Sequence, residues 1–140
     1  MTRYFLAIFA SVVLTSCGKP SAPGKITVSA QGVRLSSFKV EAGKATDEQL
    51  RAALQSAAEA LSAVCAESRK THAQLNGHLR GTFHIEADGT VRMFAERGSE
   101  ITPPEAKDVS DNFVGATFGG KVKFPRLGSD LLLTIDYEIQ

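Results

Sequence analysis

The residues of this 140-residue chain that could do chemistry are three histidines, two cysteines, one serine set between glycine and glutamate, and a Gly-Gly-Lys run. His72 and His78 fall in or beside the polar loop THAQLNG and His84 faces outward on a strand, so their spacing assembles no metal cluster. Ser99, in Gly98-Ser99-Glu100, lacks the G-x-S-x-G elbow that exposes a nucleophile, and no base accompanies it. Gly119-Gly120 precedes Lys121 without the P-loop spacing that lets backbone amides cradle a phosphate. Glu86 and Asp88 straddle a turn, open to water. An enzyme reading would have to rest on Cys65 or His84, yet a free cysteine on an apolar stripe is commonly a small core hydrophobe. The expectation is therefore no catalytic residue, no metal and no cofactor.

Cys17 carries a different chemistry. Arg3 and a nearly unbroken apolar stretch from Tyr4 to Val13 have the layout of a secretory signal. The run is shorter than the roughly 20 apolar residues that a spanning helix needs. Leu14-Thr15-Ser16-Cys17, with its leucine three residues before the cysteine, resembles the lipobox of bacterial lipoproteins. That resemblance implies that residues 1–16 are a lipoprotein signal peptide, that the Cys17 thiolate becomes a thioether to diacylglycerol, and that the new amine is acylated. Two or more acyl chains anchor a protein where one binds only marginally, so the lipid bilayer becomes a partner through Cys17. Gly18 is not the aspartate that argues for retention in the inner membrane, so the resemblance implies the periplasmic face of the outer membrane.

Loss of residues 1–16 removes Arg3 from the 16 basic residues and leaves 15 against 15 acidic ones, a formal charge of zero. Charges of both signs are mixed throughout, with no basic stripe to neutralise phosphates, which argues against nucleic acid. With Cys17 lipidated, Cys65 is a free thiol and a disulfide framework is excluded. The remaining length suits one domain with a modest core.

The elements follow from local pattern. Residues 17–25 read as the lipidated cysteine and a short tether containing Pro20 and Pro23. Residues 26–140 read as a single α+β domain. Ile26 and Val28 alternate with polar residues, Gln31-Gly32 offers a turn, and Val33, Leu35 and Val40 resume, which predicts a hairpin. Thr46 and Gln49 form a capping box, with Asp47 and Glu48 at the positive end of the dipole. Leu50, Ala53, Leu54, Ala57, Leu61, Val64 and Cys65 then recur with a helical period, and Arg69 and Lys70 close the helix. The alanine-rich stripe predicts close packing on a sheet. Leu79, Gly81, Phe83 and Ile85 share one face of a strand, Asp88-Gly89 turns the chain, and Val91, Met93 and Ala95 are expected to return on the inner face. After Pro103 and Pro104, Ala106, Val109 and Phe113 have helical spacing. In the last segment Leu131, Leu133, Ile135, Tyr137 and Ile139 are expected inside, with Thr134, Asp136 and Glu138 outside.

A helix with a cysteine in its last third, the hairpin Leu75-Asn76-Gly77-His78-Leu79-Arg80-Gly81 through Val91, a short helix, Phe124-Pro125 and an alternating terminal strand together resemble the C-terminal domain of the AgmX/PglI gliding-motility proteins and, more remotely, of TonB. Cys65 falls at that family's helical cysteine position. The cysteine often found on its second helix is replaced near Val109, so no disulfide joins the helices. The resemblance implies a small antiparallel sheet packed against one long and one short helix, and a non-catalytic interaction or scaffold module linked to gliding motility or secretion, with another envelope protein as partner. Strand 131–139, through Leu132, Thr134, Asp136 and Glu138, is the candidate partner-binding edge, because it comes last and holds no internal proline or glycine. A carrier or sensor of a small apolar ligand is the alternative, and it requires an unfilled space between the long helix and the sheet.

Overall fold

The computed structural model describes residues 26–140. The expected signal peptide (1–16), Cys17 and the expected tether lie outside the described residues. The fold is α+β: an antiparallel six-strand sheet with a 22-residue helix and a shorter helix packed on it. In chain order the elements are β1 (Ser29–Ala30), β2 (Val33–Ala42), α1 (Asp47–Ser68), β3 (Asn76–Ile85), β4 (Val91–Glu96), β5 (Glu100–Thr102), a 3-10 turn (Pro104–Lys107), α2 (Asp108–Phe118) and β6 (Leu131–Ile139).

α1 starts where the local chemistry requires. The Gln49 amide donates to the Thr46 hydroxyl at 3.1 Å while the Gln49 side chain accepts from the Thr46 amide at 2.9 Å, so both otherwise unpaired donors are satisfied. Leu50, Ala53, Leu54, Ala57, Ala58, Ala60, Leu61 and Cys65 are buried. The small alanines bring the helix backbone near the sheet, close enough for the Tyr137 hydroxyl to donate to the Leu54 carbonyl at 2.6 Å.

The sheet order is β1-β2-β6-β3-β4, with β5 pairing β3 beside β4. Two hairpins are thus joined by the last strand. The expectation that 131–139 is an edge is not met, because β6 pairs β2 on one side and β3 on the other. The physical reason lies in its inner face. Leu131, Leu133, Ile135, Tyr137 and Ile139 are all buried, and a strand with five such residues covers them best between two neighbours. The edges fall instead to β1, only two residues long, and to the bulged, charged β4 with Arg92 and Glu96.

Bulges account for the parity errors of the sequence reading. Ile85 faces Val91 but His84 faces Met93, so one extra residue shifts the phase of β4. Phe94 therefore turns inward and Met93, expected inside, is 54% exposed. A similar shift between Leu35 and Ser37 lets Val33, Leu35 and Val40 share the inner face of β2 despite their odd and even numbers, and brings Phe38 in with them. β5 is a strand that the sequence pattern did not announce.

The core has an aromatic end. The Phe83 ring lies 4.7 Å from Phe94 and 5.1 Å from Phe124, and Phe113 stands 5.5 Å from Phe94. Gly81 makes room for this cluster: a Cβ there would come within 2.4 Å of the Phe94 ring.

Candidate functional site

Both helices cover the same face of the sheet, and the pairing register places the remaining side chains on the other. Residues directly opposite in a ladder share a face. One row of the open face accordingly runs Arg34, Glu138, His78 and Glu100, and the next runs Ser37, Asp136 and Arg80. A third row holds Lys39, Thr134, Thr82 and Ala95, and the last holds Ala42, Leu132, His84 and Met93. All four residues nominated on the terminal strand lie along the middle of this face, not along a free edge.

Asp136 is the centre of the polar part. Its side chain is only 19% exposed, and each carboxylate oxygen has its own partner: His78 Nδ1 at 2.8 Å and Arg80 Nε at 2.9 Å. Arg80 also donates to the Gly98 carbonyl at 2.9 Å and reaches Glu100 at 3.4 Å. Its hydrogen bond and charge interaction with Asp136 raise the guanidinium pKa further, so this cation is permanent. Arg34 pairs with Glu138 beside it. In the next row the Thr82 and Thr134 hydroxyls bond at 2.9 Å. His84 lies 3.6 Å from Asp130 at the apolar end of the face.

His78 therefore sits on a strand, not in or beside a loop as its sequence neighbours suggested. The histidines remain apart in role: His78 meets Asp136, His84 meets Asp130, and His72 follows α1. Among the described residues, no group of three or more His, Cys, Asp or Glu is placed to hold a metal ion.

The other candidate chemistry is absorbed by the fold. Ser99 Oγ accepts from the Arg80 amide at 2.9 Å and donates to the Arg80 carbonyl at 3.2 Å, filling the ladder positions between β4 and β5. The Asp88 carboxylate accepts from the Thr90 amide at 2.9 Å, which holds its pKa below the usual range, while Glu86 faces Arg92 at 3.8 Å. Gly119 and Gly120 end α2, with Gly120 at φ +85°. Cys65 is buried and unpaired, and burial pushes its thiol up to about 11 against the smaller opposing pull of Arg69. A thiol so protonated is a poor nucleophile at neutral pH.

The helix–sheet interface contains Leu54, Leu61, Leu79, Leu133 and Tyr137, each no more than 1% exposed. Surface recesses are found elsewhere, one of about 540 Å³ between α1 and α2 and one of about 390 Å³ at the β3–β4 turn beside Phe118. No helix among the described residues is long and apolar enough to cross a membrane. No protein-family model, curated protein or solved structure matches this chain.

Proposed function

We propose that this protein is a lipid-anchored module of the bacterial envelope, held at the periplasmic face of the outer membrane by acylated Cys17, that binds another envelope protein through the open face of its sheet. The observation that carries the docking part is the row structure around Asp136. Arg34, Glu138, Asp136, Arg80 and Glu100 bring charges of both signs together across four strands, with His78 set against Asp136, and all six are fixed by their mutual contacts. Groups held in this way lose little freedom on binding, and alternating charge favours a folded protein surface of mixed, complementary charge over a polyanion. The apolar row with Leu132 and exposed Met93 adds area to bury.

The arrangement of the long helix, hairpin, short helix and terminal strand supports a TonB C-terminal-like domain of the AgmX/PglI kind. It is a binding role without catalysis. Strand addition to residues 131–139 is not part of this proposal, since both sides of that strand are occupied.

The anchor is tested by feeding cells a tagged fatty acid. The wild-type chain takes up the label, and Cys17→Ser loses it and accumulates as precursor. A Cys17→Ser chain that is processed normally and released as a soluble protein would refute the anchor.

A further inference from the structure

The end of α1 and the start of α2 enclose a recess of about 330 Å³ lined by Glu67, Ser68, Thr71, His72, Glu105, Asp108 and Asn112. From it we infer a binding site for a primary ammonium group, carried by a small amine or by a lysine side chain.

Two independent observations meet there. The first is charge. Glu67, Glu105 and Asp108 bring three carboxylates to one opening, and the carboxylates of Glu105 and Asp108 make no hydrogen bond or ion pair with any described residue. Lys70, at 2.9 Å, engages only Glu67. The C-terminal end of α1 adds negative potential, while the N-terminus of α2 offsets part of the Asp108 charge.

The second is Ser68. It is 6% exposed and the only buried residue of the lining, so it forms the floor. Its hydroxyl is buried without any hydrogen-bond partner, the one side-chain N or O atom in that state among the described residues. Its backbone carbonyl is already used, accepting from the Thr71 and His72 amides at 3.1 and 2.9 Å. A buried hydroxyl without a partner destabilises the fold, and a ligand donor reaching the floor would satisfy it.

The chemistry of the lining selects the ligand. Carboxylates accept and do not donate, the Asn112 amide and the Ser68 hydroxyl can both accept, and an ammonium brings three donors and no acceptor. The carboxylates are not gathered closely enough for a bare metal ion. An ammonium meets its acceptors at hydrogen-bond length, longer than a metal–ligand bond, and an alkyl chain can leave through the mouth.

The test uses the full chain, 15N-labelled, titrated at constant ionic strength with putrescine, with Nα-acetyl-lysine amide, and with tetramethylammonium as a cation that has no N–H to donate. Putrescine or the lysine derivative should give saturable amide shifts at Ser68, Thr71 and Asn112, the tighter of the two identifying the source, and tetramethylammonium should give none. Glu105→Gln with Asp108→Asn, both on exposed positions, should weaken binding at least tenfold. Ser68→Ala should raise the Tm of the free protein and still bind the amine several-fold more weakly. Absence of saturation, equal shifts with tetramethylammonium, or unchanged affinity in the surface double variant would overturn the site.

Discussion

The fully buried Tyr137 hydroxyl donates to the Leu54 carbonyl across the helix–sheet interface at 2.6 Å. This contact ties the C-terminal part of the central strand to the N-terminal half of α1. Tyr137→Phe keeps the ring and removes one buried bond, so unfolding in urea should show a loss of about 1 kcal/mol. A loss near zero would mean that the bond contributes nothing net.

Ser99 substitutes for a strand residue beside Arg80, because it both accepts from and donates to the Arg80 backbone. Ser99→Ala should cost about 1–2 kcal/mol by leaving that part-buried amide without its partner. Hydrogen exchange gives the sharper readout: the Arg80 amide should lose protection while those of Phe83 and Ile85 keep theirs.

Gly81 lies under the Phe94 ring, and a Cβ there would stand 2.4 Å from that ring and 2.8 Å from the Ala95 carbonyl. Gly81→Ala should destabilise by roughly 1–3 kcal/mol, the usual cost of forcing extra volume into a packed core. Pairing it with Phe94→Leu should recover part of the loss, and a calorimetric cycle measures the coupling.

Cys65 and Tyr137 are both held in their neutral forms by burial, with folded pKa values above the ordinary ones. The sign follows directly. Their contribution is full below the unfolded pKa and disappears as pH rises, for Cys65 between 9.0 and about 11. Stability should fall through that window, and Cys65→Ala should flatten the fall by on the order of 1–2 kcal/mol. At neutral pH the same substitution should cost about 1 kcal/mol, because only a small sulfur is lost. A native thiol that reacts readily with iodoacetamide at pH 8 would contradict a buried, protonated Cys65.

Local chemistry was legible in the sequence and neighbour relations were not. The Thr46–Gln49 box, the α1 stripe and the Asp88-Gly89 turn involve residues a few positions apart, so the sequence carries their full cause. The alternation of β6 announces two faces, but a strand alternates in the same way at an edge and in the middle. Its place depends on β2 and β3, which pair with it from nearly a hundred and about fifty residues away respectively. In β4 the alternation of Val91, Met93 and Ala95 competed with the bulkier Phe94, and the bulge decided for Phe94. The Asp136 cluster escaped notice for the same reason: the outward parity of His78, Arg80 and Asp136 is readable, whereas their adjacency requires knowing that β6 lies beside β3.

The central position of β6 can be tested with one proline. Thr134 pairs Lys39 on one side and Thr82 on the other, so Thr134→Pro removes a donor and strains a strand that has no free side. The variant should fail to fold, seen as loss of near-UV dichroism and of soluble yield. A stable, cooperative Thr134→Pro protein would argue for an edge.

The docking face is tested most directly by site-specific photo-cross-linking in living cells. The photoreactive residue is placed at Lys39 or Met93 on the open face, and at Glu59 or Ala63 on the exposed side of α1; all four positions are exposed, so the core is undisturbed. The account predicts one discrete cross-linked envelope protein from Lys39 and Met93, lost when Cys17→Ser removes the anchor, and none from Glu59 or Ala63. Cross-links from α1 alone, or none from either open-face position, would contradict it.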